Sequence, residues 1–365
     1  FVMNYDEYGN QTILEDPNAG TFSYVYNTYG EIISQTDDKG NTSTMNYDEL
    51  GRMISKTEPE GTTTYVYDTE TNGIGLLASV NGPGNMGYSY KYDEYGRNIQ
   101  VNKTIESEIF ATKFSYNVYG DVSQVEYPSG FKINQLYNSY GYLSEIKRAD
   151  NNGLIWKAED VNALMQIEQF KTGDNITTNQ TYNSYGFPTS IQSGSIFDWQ
   201  YNFNTSTGNL TSRTDNVFSL SETFSYDNSN RLTSTSLNGN TTLELQYANS
   251  GNISFKTDVG DYYYGENGAG VHALSRVESS SSAISNLNQD ISYTSFNKIS
   301  SIVEGDYELQ VKYGTEKERS KTELFNNGSI ELTKFFASNY EKTVSNSDTK
   351  EINYIYGGDG LAAVY

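Results

Sequence analysis

The chain has 365 residues, 35 % of them hydrophobic, with 33 Tyr, 32 Gly, 5 Pro, no Cys and a formal net charge of -22. Without Cys there is no disulfide framework, thiolate nucleophile or Cys-ligated metal, and so acidic a chain argues against nucleic acid as a partner. No apolar run is long enough for a membrane-spanning helix, which argues against membrane insertion, and the Gly-rich, Pro-poor balance suits many short strands joined by turns.

From the first residues one phrase recurs. Tyr5-Asp6-Glu7-Tyr8-Gly9-Asn10 returns as Tyr26-Asn27-Thr28-Tyr29-Gly30-Glu31 and as Tyr47-Asp48-Glu49-Leu50-Gly51-Arg52. A spacing of about 21 residues is the mark of a repeat architecture. Further copies are Tyr92-Asp93-Glu94-Tyr95-Gly96-Arg97, Tyr116-Asn117-Val118-Tyr119-Gly120-Asp121, Tyr137-Asn138-Ser139-Tyr140-Gly141-Tyr142 and Tyr182-Asn183-Ser184-Tyr185-Gly186-Phe187. Looser ones sit at Tyr67-Asp68, Tyr201-Asn202, Tyr226-Asp227, Tyr247-Ala248 and Tyr293-Thr294.

Before most copies the chain alternates polar and apolar, as in Thr21-Phe22-Ser23-Tyr24-Val25-Tyr26, which puts Phe22, Tyr24 and Tyr26 on one face of a strand. Within the phrase, Asp or Asn bonds backbone two residues on, and Gly supplies positive φ, so the phrase reads as a β-hairpin tip. Asp38-Lys39-Gly40-Asn41, Glu58-Pro59-Glu60-Gly61 and Pro128-Ser129-Gly130 turn the chain back at the opposite edge. Each period is then two strands and two turns. A ring at one position of every hairpin forms a cross-strand ladder, with the phenol oxygen left to reach water or a carbonyl. Helix-favouring residues appear only at Lys157-Ala158-Glu159-Asp160-Val161-Asn162-Ala163-Leu164-Met165-Gln166, where the period calls for strand, turn and strand.

No composition break marks a linker, so residues 1–365 read as one continuous array. About 15 to 17 periods at roughly 4.8 Å per strand make a ribbon on the order of 150 Å long. Sheets twist and curl, and closed into one turn this ribbon has a radius near ~24 Å, too wide for side chains to fill. The physical expectation is a container or scaffold. The opening on Phe1 in mid-pattern suggests a piece of a longer polypeptide, with any targeting signal elsewhere.

The repeated Tyr-Asp-x-x-Gly-Arg phrase resembles the YD-repeat, or Rhs-repeat, family, across essentially the whole chain. The family includes bacterial Rhs and polymorphic toxins, insecticidal toxin-complex proteins and animal teneurins. The resemblance implies antiparallel β-hairpins wound into a spiral that forms a hollow shell, enclosing a C-terminal toxin in the bacterial members. His272-Ala273-Leu274, Tyr313 with Arg319, Tyr340-Glu341 and Tyr354-Ile355-Tyr356-Gly357-Gly358-Asp359-Gly360-Leu361 resemble the stretch leading into the Rhs core domain, in the version of Bacteroidetes-type bacteria. Residues 264–365 would be that region. The Asp-Pro-x-Gly-Leu motif of the family's self-cleavage site is missing, and Asp359-Gly360-Leu361 reads as a hairpin turn. The implied partners are the rest of the same polypeptide, with further repeats, core domain and enclosed toxin, and secretion machinery; the implied location is outside a bacterial cell or on its surface.

Catalysis finds little support in the residues. His272 is the only imidazole, so a triad or a His-ligated metal has a single possible member. The acidic residues fall in turns at the repeat spacing, as on a solvated face, and lack EF-hand order around Thr36-Asp37-Asp38-Lys39-Gly40-Asn41. The expectation is a non-enzymatic segment with no catalytic, cofactor or metal residues, in which the repeat positions carry structure. An adhesin whose exposed Tyr and loop tips contact glycans or cells is the rival from another class.

Overall fold

The computed structural model describes every residue except 18, 174, 267–270, 280–286, 288 and 359, and the side chain of 289. Gly270, beside His272, and Asp359 of the Asp359-Gly360-Leu361 turn thus lie outside the described residues. The described residues form 34 β-strands and one single-turn 3-10 element, Pro83–Asn85. At two strands per period, 34 strands make 17 periods, and every pairing whose register is defined is antiparallel. The helix-favouring stretch after Lys157 completes the strand Leu154–Val161 and then turns. Cross-strand pairing on both sides of that strand overrides its helix propensity.

Two compact units are distinguished. One comprises Phe1–Asn134, Leu287–Ile355 and Val364–Tyr365, the other Gln135–Asn286 and Tyr356–Ala363. In the first, strands from Val2–Tyr5 through Val122–Glu126 each pair with the next in sequence. A second sheet begins at Gln289–Tyr293 and follows the same rule through Arg319–Asn326 to Tyr340–Ser345. In the second unit, strands from Leu143–Arg148 to Leu274–Ser279 pair likewise.

Strand Gly20–Tyr26 keeps the expected alternation, with Phe22, Tyr24 and Tyr26 half-buried and Thr21, Ser23 and Val25 exposed. At each phrase whose register is defined, the pairing slips by one residue, as where Val25 faces Ser34 but Tyr26 faces Ile32. Such a bulge increases local twist, and here it recurs once per hairpin.

In the first unit the two sheets pack face to face. Met86, Ile105 and Phe110 meet Phe335, Ala337 and Tyr340, with the Phe110 ring 5.5 Å from Phe335 and 5.7 Å from Tyr340. In the second, Trp156 is 1 % exposed. Gly357 lies so close that a Cβ there would sit 2.8 Å from the indole Cε2.

Candidate functional site

The repeated turn is held by one side chain. Asp6 Oδ1 accepts the N–H groups of Tyr8 at 2.9 Å and Asn10 at 2.8 Å, and Oδ2 accepts the Asn10 amide at 2.9 Å. The backbone closes with Asp6 N–H on Asn10 O at 2.9 Å, and Gly9 takes a φ of +86°. Residues two and six of the phrase are complementary. Asp48, Asp93 and Asp227 each receive an arginine Nε at 2.7 Å, from Arg52, Arg97 and Arg231. Where the second residue is Asn the sixth accepts instead, as in Asn27 to Glu31 at 2.6 Å, and Asn117 to Asp121 and Asn162 to Gln166 at 3.0 Å. The Asn10 amide with the turn N–H groups holds Asp6 below the usual carboxylate range, and Arg231 does the same for Asp227.

The first and fourth residues, both usually Tyr, have separate roles. The first points back along the sheet. Tyr26 donates its hydroxyl to Gln11 O and Tyr47 to Ile32 O, both at 2.8 Å, while Tyr92 reaches Leu77 O and Tyr116 reaches Asn98 O at 2.7 Å. Tyr182 reaches Ile167 O at 3.1 Å. In every case the acceptor is the residue after the preceding turn. The sixth-residue arginine then covers the next ring, with Arg52 Cζ 4.4 Å from the Tyr67 centroid and Arg97 4.3 Å from that of Tyr116. Such a contact contributes about 0.5–2 kcal/mol. Arg52 also binds Asp68 of the next copy at 2.7 Å. Tyr5, in the first strand, donates to Met3 Sδ at 3.3 Å, and Tyr137 to Gln135 Oε1 at 3.2 Å. The fourth-position tyrosines are exposed, Tyr8 by 82 % and Tyr29 by 88 %, whereas Phe296 in the Tyr293 copy is half-buried.

The predicted turn glycines Gly30, Gly51, Gly96, Gly120, Gly141 and Gly186 all have positive φ, and Asn230 replaces glycine with a φ of +59°. The copy expected at Tyr201-Asn202 is displaced. The turn runs from Asn204 to Asn209, so Phe203 is its first residue and Tyr201 lies two back on the same strand face. Two copies escape the phrase, Val161–Gln166 and Tyr313–Glu318, with Met165 at φ +64° and Lys317 at φ +58° in the glycine place. Asn162 and Gln166 at the complementary positions were the remaining signal of the first. The opposite-edge turn at Asp37–Asn41 has the same bonding as the phrase, without its tyrosines.

In the first unit the second sheet seats on these opposite-edge turns. Glu58 pairs with Lys317 at 2.9 Å, and Glu60 accepts from Ser295 N–H and Oγ, both at 2.7 Å. Glu106 bridges Lys312 at 2.6 Å and Lys321 at 2.7 Å, and Ser129 donates to Asn353 at 2.9 Å. Lys103, 5 % exposed, pairs with Glu318 at 2.8 Å, which also accepts from Tyr88 at 2.9 Å. Burial, then the Glu318 charge, pushes the Tyr88 phenol far up. A groove of about 330 Å³ in this seam is lined by Pro83, Met86, Phe296, Val311 and Tyr313 beside the already paired Glu58, Glu106, Lys312 and Lys317.

His272 is exposed, with Nδ1 2.6 Å from Asn252 Oδ1. Among the described residues no group of three or more His, Cys, Asp or Glu is placed to hold a metal, and no helix is long and apolar enough to cross a membrane.

Residues 26–63 match the RHS Repeat family model. No curated protein matches the sequence. Among solved structures the chain is similar to TcdB2-TccC3-Cdc42, at TM-score 0.79 and 15 % identity over 98 % of this chain and 22 % of that one. TcdB2-TccC3 gives 0.78 and 14 % over 97 % of this chain and 23 % of that one. A Tc holotoxin pore of Photorhabdus luminescens gives 0.78 and 14 % over 97 % and 22 %. The chain thus spans under a quarter of the length of these structures. It contains an RHS repeat at residues 26–63 and shares the antiparallel all-β fold of these structures over nearly its whole length.

Proposed function

We propose that the chain is a non-catalytic wall segment of a secreted or cell-surface bacterial RHS-repeat shell, which encloses or presents a C-terminal toxin or other cargo. The observation that carries this is the latch between successive copies, Tyr hydroxyl to preceding carbonyl, which recurs from one hairpin to the next along the sheet. A wall made this way extends by adding copies, as a container requires. The partners are the further repeats and cargo of the same polypeptide, and the machinery that exports it.

Protease protection of the complete polypeptide tests this. An enclosed cargo segment stays uncut until the wall is unfolded by denaturant. Cleavage of that segment in the native protein as fast as in isolation defeats the reading.

The exposed fourth-position tyrosines favour a second reading, an adhesin rim for glycans, because the Asp37–Asn41 turn closes identically with Lys39 in that place. Glycan-array binding lost in Tyr8→Ser/Tyr29→Ser would support it.

A further inference from the structure

The turn Thr294-Ser295-Phe296-Asn297 shows what a hairpin tip of this kind can hold. Ser295, the third residue of the phrase that starts at Tyr293, gives both its backbone N–H and its hydroxyl to the two carboxylate oxygens of Glu60, at 2.7 Å each. Phe296 beside it is half-buried, edge-on to Tyr313 at 5.4 Å. The turn's own bonds use the N–H groups of the second, fourth, fifth and sixth residues of the phrase, so the N–H of the third points outward unused. What varies between copies is the side chain there. Glu7, Glu49 and Glu94 repel a carboxylate, whereas a serine completes the pair of donors.

In the second unit, Asn138-Ser139-Tyr140-Gly141-Tyr142 and Asn183-Ser184-Tyr185-Gly186-Phe187 have that serine, an aromatic fourth residue and no charged group. The turns of Asn162–Gln166 and Asn204–Asn209 are uncharged as well, in a chain of net charge -22. Ser139 and Ser184 are exposed, and neither hydroxyl has a partner among the described residues.

We propose that Ser139 and Ser184 are carboxylate-binding tips, and that the uncharged rim they belong to docks an acidic hairpin turn of the Glu58-Pro59-Glu60-Gly61 kind from a further stretch of this repeat. Each tip takes one glutamate through N–H and hydroxyl, as Ser295 takes Glu60, with the Tyr140 or Tyr185 ring covering the contact. The inference concerns how stretches of repeat join and stands whether or not the wall encloses cargo.

The probe is a backbone-cyclised peptide of Lys56-Thr57-Glu58-Pro59-Glu60-Gly61-Thr62-Thr63, displayed densely on a sensor so that weak contacts add, with a Glu58→Gln/Glu60→Gln peptide as control. The whole chain should be retained by the glutamate peptide and at least about tenfold less by the glutamine one. Ser139→Ala/Ser184→Ala should lose retention to the same degree at unchanged melting temperature. Thr28→Val should not, because its tip lies between the acidic tips Asp6-Glu7 and Asp48-Glu49. Absence of retention, equal retention on both peptides, full retention by the double variant, or self-association of the chain that the peptide does not compete away would each overturn the proposal.

Discussion

Tyr26 donates its phenolic hydrogen to the carbonyl oxygen of Gln11 at 2.8 Å, and Gln11 is the residue immediately after the preceding turn. A repeat read only as a hairpin tip is therefore also a joint between periods. The phrase fixes its own turn with residue two and its neighbour with residue one. This relationship separates two tyrosines that are indistinguishable by composition.

Tyr47→Phe, which loses only the hydroxyl bonded to Ile32 O, should destabilise the chain by about 0.5–1.5 kcal/mol. Tyr29→Phe, on an exposed ring, should stay within about 0.5 kcal/mol of the parent. Urea unfolding followed by circular dichroism reads both. Equal effects would refute the division of roles.

The second and sixth residues form a donor–acceptor code, and a swap tests it. Asn41→Asp sets a carboxylate against Asp37 and should destabilise by on the order of 1 kcal/mol at neutral pH. Adding Asp37→Asn recreates the Asn117–Asp121 pair and should restore most of the loss. A double variant no better than the single one would show that the backbone bonds alone hold the turn.

Much of this was legible in the sequence, because the phrase names the turn-forming groups and the alternation before it names the buried face. The strand Gly20–Tyr26 and the turns at Gly9, Gly30 and Gly51 follow from those two signals. Copies were missed where the signature residues are replaced but the geometry persists: Val161 stands for Tyr and Met165 for Gly. At Tyr201 an alternating aromatic run offered two candidate first rings, and the six-residue turn at Asn204–Asn209 selects Phe203. The seam of Glu58, Glu60 and Glu106 with the second sheet joins residues more than 200 positions apart, a pairing that local pattern does not encode.

Met165 takes φ +64° where the phrase has glycine, a conformation that costs an L residue roughly 1 kcal/mol. Met165→Gly should therefore raise stability by up to about 1 kcal/mol, against the ordinary entropic penalty of glycine. A lower melting temperature would mean that the exposed Met165 side chain makes contacts that outweigh the strain.

Gly357 has no room for a side chain, since a Cβ would lie 2.8 Å from Trp156 Cε2 and 3.1 Å from Nε1. Gly357→Ala should cost about 1–3 kcal/mol through overpacking and red-shift the emission of the buried indole. Gly305→Ala is not a fair control because its φ is +58°. Gly358→Ala, whose nearest contact is 3.2 Å to Ile167 Cδ1, should cost less and shift the emission less.

The seam should loosen in acid. Glu58, Glu106, Glu318 and Glu323 are each opposed by burial but held below the usual range by lysine partners. A carboxyl with a depressed folded pKa contributes stability that is complete above its unfolded value, near pH 4.3, and is lost as pH falls through the folded one. Hydrogen exchange of Arg319–Asn326 and Tyr340–Ser345 should accordingly accelerate, relative to the intrinsic rate, only below about pH 4.3. At neutral pH, Glu318→Gln leaves Lys103 buried without its counter-charge and should cost about 2–3 kcal/mol, less than a fully buried pair because the Glu318 side chain is 31 % exposed. Protection in the second sheet that is flat from neutral pH to pH 3, or a Glu318→Gln variant as stable as the parent, would show that the Phe110–Phe335–Tyr340 core alone holds the two sheets together.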